Sequence, residues 1–384
     1  MPAANPDAPV MTDVRMVGDA KRTRFVADLS ANVEVTIFSL PDPYRVIVDL
    51  PEVTFRVPEG TGDNGRGLIK AFRYGQISPG KSRIVIDAGG PVAVDKSFVV
   101  PPSGGQPARL VIDVVPTSRK AFLDTAKAWR EKEEVAAAAQ RDRELVVPEK
   151  PPGGKLAIVL DPGHGGIDNG THGATGIHEK DITLAFSKIL GQKLVDTGLY
   201  DVFYTRTDDS FVSLSDRVNF ARAHHADLFL SIHANSFPVK SVRGTTIYTV
   251  SDQPSDKMVA DIASMENQSD ALAGIDVDKK DLGEVKDILL DLTRRETRNF
   301  GVVFAQNLVN ELKGSTRMFK VPHQQAAFIV LEAPDIPSAM IELGFVTNKD
   351  DEKLLLSDDW RQKAAGSVVN AVARFFKTHV ARTP

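Results

Sequence analysis

The residues with the clearest capacity for chemistry lie in the second half of the chain. His164 stands in "VLDPGHGG" just past an apolar run, Glu179 follows 15 positions later in "IHEKD", His233 ends "DLFLSIH", and Glu342 lies inside "SAMIEL". Two imidazoles and a carboxylate from three separate elements are the donor set of a catalytic zinc, with the fourth position left for water. An ion held in that way lowers the pKa of water to about 7 and polarises a carbonyl under attack. Glu342 would then serve as a base rather than a ligand. Cysteine is absent, which excludes disulfides, zinc thiolates and cysteine nucleophiles together, so any metal must rest on His, Asp or Glu.

Each residue also has a plainer use. A histidine near a strand end is often a hydrogen-bonded structural residue, an acid such as Glu179 at a helix start is commonly solvated, and "SIHAN" could be a core strand that happens to end in His233. Glu342 fits such a use least well, because an acid between Ile341 and Leu343 is costly to bury without a partner. Phosphate binding is a weak reading of the glycine-rich loop. Gly163-His164-Gly165 lacks the third glycine of a dinucleotide fingerprint, and no Gly-Lys-Ser/Thr follows to close a P-loop.

These residues meet only if the surrounding chain alternates strands and helices, and its pattern does so. "KLAIVL" (155–160) leads through the glycine-rich loop to the helical "DITLAFSKILGQKLVDTG"; "YDVFYTR", a helix entered at "SLSDRVNFARAHH" and the strand "DLFLSIHAN" follow. Ser213 and Asp216 have capping-box spacing. Phe300, Phe304, Leu308 and Leu312 recur at every fourth position, on one helix face, and "PSAMIELGF" and "WRQKAAGSVVNAVARFFKTHV" close the domain. The expectation is an α/β domain with a mixed, mostly parallel sheet and helices on both faces, its ligand crevice beyond the carboxyl ends of the strands. His164, His233 and Glu342 fall at that edge, and glycines let the intervening loop turn sharply and approach closely.

Residues 11 to about 116 contain no histidine and read as short strands, among them "TRFVADLS", "VEVTIFSL", "YRVIVDL", "IKAFRYGQ", "SRIVIDAG" and "ARLVIDVVP". Period-two alternation between turn residues predicts a small all-β sandwich, a binding or targeting module without a catalytic cluster. The Ala-, Glu-, Lys- and Arg-rich stretch from Ser118 to Leu145 is an exposed helix or a tether, and "VVPEKPPGG" breaks any helix near Pro152. The expected organisation is therefore a sandwich over 1–116, a partly helical linker over 117–154 and a catalytic domain over 155–384. A net charge of -4 gives no support to nucleic-acid binding. No window is apolar enough to span a bilayer, and "MPAANPDAPV" has no signal-peptide pattern, so an exported form would have lost that peptide.

The quoted motifs "VLDPGHGGIDNGT", "HEKDITLAF", "TRTDD", "SLSDRVNFARAHHADLFLSIHAN" and "PSAMIELGFVTNKDDEKLL" resemble, in order, the zinc-dependent N-acetylmuramoyl-L-alanine amidases of the cell-separation type. The resemblance covers about residues 155 to 380. The N-terminal half is similar to the AMIN module that accompanies such amidases in Gram-negative bacteria and localises them on peptidoglycan. The resemblance implies His164, Glu179 and His233 as zinc ligands and Glu342 as catalytic acid/base. It also implies, as substrate, the amide between N-acetylmuramic acid and L-alanine of the stem peptide, and the periplasm as the location. Asn235 and His323, the latter in the expected loop "VPHQQAA", are smaller candidates for substrate contact, and His172 is the substitute ligand should His164 fail.

The polar, acidic segment between "TTIYTV" and the long helix, about 252–281, is longer than a simple connection. Residues 256 to 270 could form a helix with Met258, Ile262 and Met265 on one stripe, an ordinary surface helix or a face for a partner. Similar amidases with such an insertion use it as an autoinhibitory helix. "MENQSD" resembles their blocking segment and points to Glu266, ahead of Glu284 and Glu296, as the residue filling the open zinc position. An activator of the LytM-domain type acting on that helix is implied as partner. Two other functions compete: a different zinc peptidase cutting within the stem peptide, and a non-catalytic wall-binding protein.

Overall fold

The computed structural model describes residues 8–58, 60–78, 80–141, 154–275 and 288–380. The chain divides into two compact units, one of Met1–Val147 with Ala271–Asp276, the other of Pro148–Asp270 with Val277–Pro384.

The first unit is built from β1 (Val10–Gly18), β2 (Thr23–Leu29), β3 (Thr36–Leu40), β4 (Arg45–Pro51), β5 (Thr54–Phe55), β6 (Ile69–Ser78), β7 (Lys81–Ala88), β8 (Val92–Val100) and β9 (Ala108–Pro116). They form two sheets, β5-β1-β2-β9-β8 and β3-β4-β7-β6. Apart from the short β1/β5 pair every pairing is antiparallel. Alternating apolar residues such as Phe25, Ala27 and Leu29 from one sheet and Val46, Val48, Ile84 and Ile86 from the other fill one core. Sequence reading finds β2, β3, β4, β6, β7 and β9 but passes over β1, the two-residue β5 and β8, whose middle residues are exposed. The string Gly75 to Ser82 has the residue spacing of a phosphate-binding loop, yet it lies across the antiparallel pair β6/β7. No helix start follows it to face an anion, and Ser82 is buried against Val53 instead.

Helix α1 (Arg119–Arg141) begins against this core: Phe122 is buried edge-on to Tyr44, and Trp129 stacks on Phe38 at 4.6 Å. Its first turns are therefore part of the first unit rather than a free tether. The expected break near Pro152 lies outside the described residues.

The second unit is the α/β domain expected from the alternation. Strands β10 (Leu156–Pro162), β11 (Tyr200–Tyr204), β12 (Leu228–Asn235), β13 (Thr245–Val250), β14 (Met318–Ala326) and β15 (Ser338–Phe345) form one sheet, ordered β11-β10-β12-β15-β13-β14. All pairs are parallel except β13 with β15. One face packs on helices α2 (Glu179–Asp196), α6 (Ile288–Leu312) and α8 (Asp358–Val380), through residues such as Phe186, Phe304 and Phe375. The other carries α3 (Leu214–Ala223) and α4 (Lys257–Glu266), followed by the short α5 (Ser269–Leu272). Helix α7 (Lys349–Leu355) precedes α8. Ser213 caps α3 as its spacing predicts, accepting from Asp216 N at 3.1 Å.

Strand β14 is a correction. "VPHQQAA" reads as a loop because Pro322 removes a donor, but an edge strand tolerates that loss, and β14 is the sheet's edge.

Candidate metal centre

Parallel strands place their carboxyl ends together, and the register fixes which side chains share a face. His233 pairs with Glu342, and Glu342 with Thr246, across β12, β15 and β13. His164 arrives from the loop after β10 with a left-handed φ of 60°, and Glu179 from the first residue of α2. The His164 and His233 rings meet edge-on at 4.9 Å, and both the loop and this contact demand small residues. A β-carbon on Gly163 would lie 2.4 Å from the His233 ring, and one on Gly170, whose φ is +64°, would meet His164 at 2.6 Å.

The helix α4 brings a fourth group. His164 Nε2 lies 3.1 Å from Glu179 Oε2 and 3.5 Å from Glu266 Oε2. His233 Nδ1 lies 3.1 Å from Glu179 Oε1 and 3.1 Å from Glu266 Oε2. One ligand atom from each of the four residues lies within 4.8 Å of the others, and all four residues are buried. Ligands about 2.0–2.1 Å from a tetrahedral zinc stand about 3.3 Å from one another, and the four nitrogen–oxygen contacts here are 3.1–3.5 Å, with Glu179 facing His164 through Oε2 and His233 through Oε1. His164 Nε2 is also buried and, for all its closeness to Glu179, makes no well-formed hydrogen bond among the described residues, as a ligand atom aimed at an ion would not. The donor set thus fits a zinc-type metal.

The surroundings hold these side chains in place. Asp168 Oδ2 lies 2.8 Å from His164 Nδ1 and so turns the other ring nitrogen, Nε2, toward the cluster, the way carboxylates orient imidazoles at metal sites. Glu179 accepts from the backbone amides of Ala234 at 2.9 Å and Thr171 at 3.1 Å. Burial alone would lower the His233 imidazole, but Glu266 and Glu179 overcome it and push it up to about 10. Burial would raise the Asp168 carboxyl; His164 reverses this and holds it at about 2. The same crowding gives the site a strong demand for positive charge.

Glu342 is fully buried in β15 and stands apart from the four-residue cluster. Burial pushes its carboxyl well above the ordinary range, and the negative Glu266 and Glu179 add to this against the opposing imidazoles. Asn235 Nδ2 donates to its Oε1 at 3.2 Å, while Oε2 has no partner. A carboxyl held in that condition can carry a proton near neutral pH and exchange it with a reacting group.

Other candidates fall elsewhere. His323 pairs with Ile247 and donates to or accepts from Thr249 Oγ1 at 2.9 Å, so β14 turns it to the face opposite Glu342. His172 is exposed and lies outside the four-residue cluster. Glu296 is exposed on α6, and Glu284 lies outside the described residues. On α4 the buried stripe is Val259, Ile262, Ala263 and Glu266, whereas Met265 is half exposed, so the Met258–Ile262–Met265 stripe read from sequence is rotated by about one position.

Sequence reasoning missed the support beneath the loop. Arg217 pairs with Asp161 at 2.6 Å and donates to the carbonyls of Pro162 and His164, both at 2.8 Å. Arg206 donates to Pro162 O at 2.9 Å and Gly163 O at 2.8 Å. These buried guanidiniums clamp the backbone on either side of the histidine. An acid ending the apolar run at Asp161 was the available signal.

Residues 158–374 match the family described as N-acetylmuramoyl-L-alanine amidase, and residues 13–115 match the AMIN domain. The chain belongs to the N-acetylmuramoyl-L-alanine amidase family. The amidase AmiC of Neisseria meningitidis serogroup B is 31% identical over 97% of this chain and 91% of that protein. AmiC of Escherichia coli O6:H1 is 30% identical over 94% and 88%. AmiA of Escherichia coli K12 is 36% identical over 59% of this chain and 78% of its own length. The amidase match lies within the second unit, so the four-residue cluster and Glu342 belong to the hydrolase half of a peptidoglycan amidase.

Proposed function

We propose that this amidase hydrolyses the bond between the lactyl group of N-acetylmuramic acid and L-alanine of the stem peptide, using zinc held by His164, Glu179 and His233. The observation that carries the reading is the convergence of two buried imidazoles and two buried carboxylates, with one ligand atom of each within 4.8 Å of the others and one carboxylate supplied by α4. Zinc there supplies Lewis acidity toward a carbonyl and makes water a better nucleophile at neutral pH. Glu342 acts as the acid/base: its ionised form takes a proton from the attacking water, and its raised affinity for that proton suits it to protonate the departing alanine amine. Asn235 positions the carboxyl through Oε1. Asp168 keeps His164 in the orientation its role needs.

Glu266 makes the resting enzyme self-blocked. It occupies the position that substrate and water require, and α4 is secured around it. Asp256 caps the helix at Val259 N, Asn267 bonds both Ala327 O and Ile329 N, Ser269 donates to Asp168, and Asp270 accepts from Leu214 N. Release requires a partner, and a protein activator of the LytM-domain type is the proposed one, with the half-exposed Met265 within its reach. The first unit targets the enzyme to peptidoglycan, and the setting is periplasmic wall remodelling during daughter-cell separation.

The test is zinc content and basal wall hydrolysis of the full chain and of Glu266→Ala. The proposal expects zinc in both and a higher basal rate in the variant. An unchanged basal rate with zinc bound would sink the self-block, and absence of zinc from both would sink the metal assignment.

A further inference from the structure

On the sheet face that carries Glu342, three buried polar side chains hold atoms that make no well-formed hydrogen bond among the described residues. Gln324 on β14 pairs with Tyr248 on β13, and Thr246, two residues from Tyr248, pairs with Glu342 on β15. Gln324, Tyr248, Thr246 and Glu342 therefore share one face across three adjacent strands. All are buried, with Tyr248 and Thr246 fully so. Among the described residues, the phenol of Tyr248 and the hydroxyl of Thr246 have only each other as a polar neighbour, without good hydrogen-bond geometry, and the amide nitrogen of Gln324 has no partner. Burial raises the Tyr248 phenol, and the nearby charges of Glu342, Asp256 and Glu266 add to this.

What covers this patch is apolar. Tyr248 packs in one cluster with Val259, Ile262 and Ala263 of α4. Burying a hydroxyl or amide with no partner is costly, and Phe and Val would fill the same space without that cost. The polar groups are thus poorly served by the closed arrangement and well placed for an open one. Once α4 leaves, they form a floor beside Glu342.

We propose that Tyr248, Thr246 and Gln324 are substrate-contacting residues that bind the uncharged, muramoyl side of the scissile amide. This rests on the amidase reading above. The choice of side follows from the chemistry: the three groups are neutral donors suited to the carbonyl of an N-acetyl or lactyl group, and no cationic side chain stands among them to receive the carboxylates of a stem peptide. The same groups make the covered state less comfortable, so their function in the open enzyme is set against the tightness of the closed one.

The test uses the full chain in a Glu266→Ala background with a soluble N-acetylmuramoyl tripeptide as probe. Tyr248→Phe and Thr246→Val are each expected to lower kcat/KM by roughly 3- to 10-fold, mainly through KM, as loss of one hydrogen bond would. Each should leave the melting temperature of the otherwise unaltered protein unchanged or raised, because the lost hydroxyl had only the other hydroxyl beside it, without good hydrogen-bond geometry. A background enzyme that is inactive would overturn the amidase reading and this inference with it. An active background whose kinetics neither substitution changes, or a melting temperature lowered by both, would overturn the inference alone.

Discussion

Replacing Arg217 with methionine is expected to cost the second unit about 3–5 kcal/mol, the cost of breaking a buried ion pair while leaving one charge behind. The value applies with little solvent screening, because the side chains of Arg217 and Asp161 are 2% and 0% exposed. Methionine fills much of the volume but supplies none of the donors that reach Asp161, Pro162 O and His164 O. Thr205 at 2.6 Å and Ser231 at 2.7 Å still bond the Asp161 carboxylate, which argues for the lower half of the range. For a domain of this size that loss lowers the melting temperature by roughly 6–20 °C. Urea unfolding at pH 7 and pH 4 provides a second signature. Burial raises the Asp161 carboxyl, and Arg217 with its hydroxyl partners holds it below the ordinary value in the folded enzyme. Its stabilisation is therefore present above the unfolded pKa and is lost as pH falls through the folded one. Without Arg217 burial prevails, Asp161 takes up a proton readily in acid, and the deficit should be smaller at pH 4 than at pH 7. A loss below about 1 kcal/mol, or a deficit that does not shrink in acid, would refute the clamp described beneath the metal loop.

Two further outcomes follow from the same geometry. Gly163→Ala places a methyl against the His233 ring and should reduce zinc retention on dialysis against a chelator by at least 10-fold while the far-ultraviolet circular dichroism stays unchanged; equal retention would show that the loop yields freely. Burial lifts the Asp270 carboxyl to about 6 against an ordinary 3.8, so the folded state holds its proton more tightly than the unfolded one. Its contribution is then most favourable below about pH 4 and declines as pH rises to about 6, and Asp270→Asn should remove that decline from the stability curve, up to about 3 kcal/mol. Identical pH profiles for the two proteins would count against it.

The sequence shows the alternation of the second unit because buried parallel strands such as "LAIVL" and "LFLSI" are continuous apolar runs, and its helices keep a 3.6-residue period. It shows the ligand candidates because histidines and acids at strand ends are few. It hides β14, where Pro322 and half-exposed polar residues mimic a loop. It hides Arg217 as well, since an arginine in "SDRVNFAR" reads as a solvated helix face until the Asp161 carboxylate is seen beneath it. Asp168 looks like a turn residue in "GIDNGT", and only the folded loop brings it to His164. The stripe on α4 is misplaced for a different reason: Met265 is as apolar as Ile262, but the surface available to the helix is the one that lets Glu266 reach the histidines, and that turns Met265 outward.

The central claim is that Glu342 and the histidine-glutamate cluster cut the muramoyl-alanine amide. Mass spectrometry of fragments released from purified peptidoglycan by Glu266→Ala, with and without the added change Glu342→Gln, tests it most directly. The account predicts stem peptides beginning with a free L-alanine amine from the first protein and at least a 100-fold smaller yield from the second. Fragments cut within the stem peptide, or equal yields from the two proteins, would contradict it.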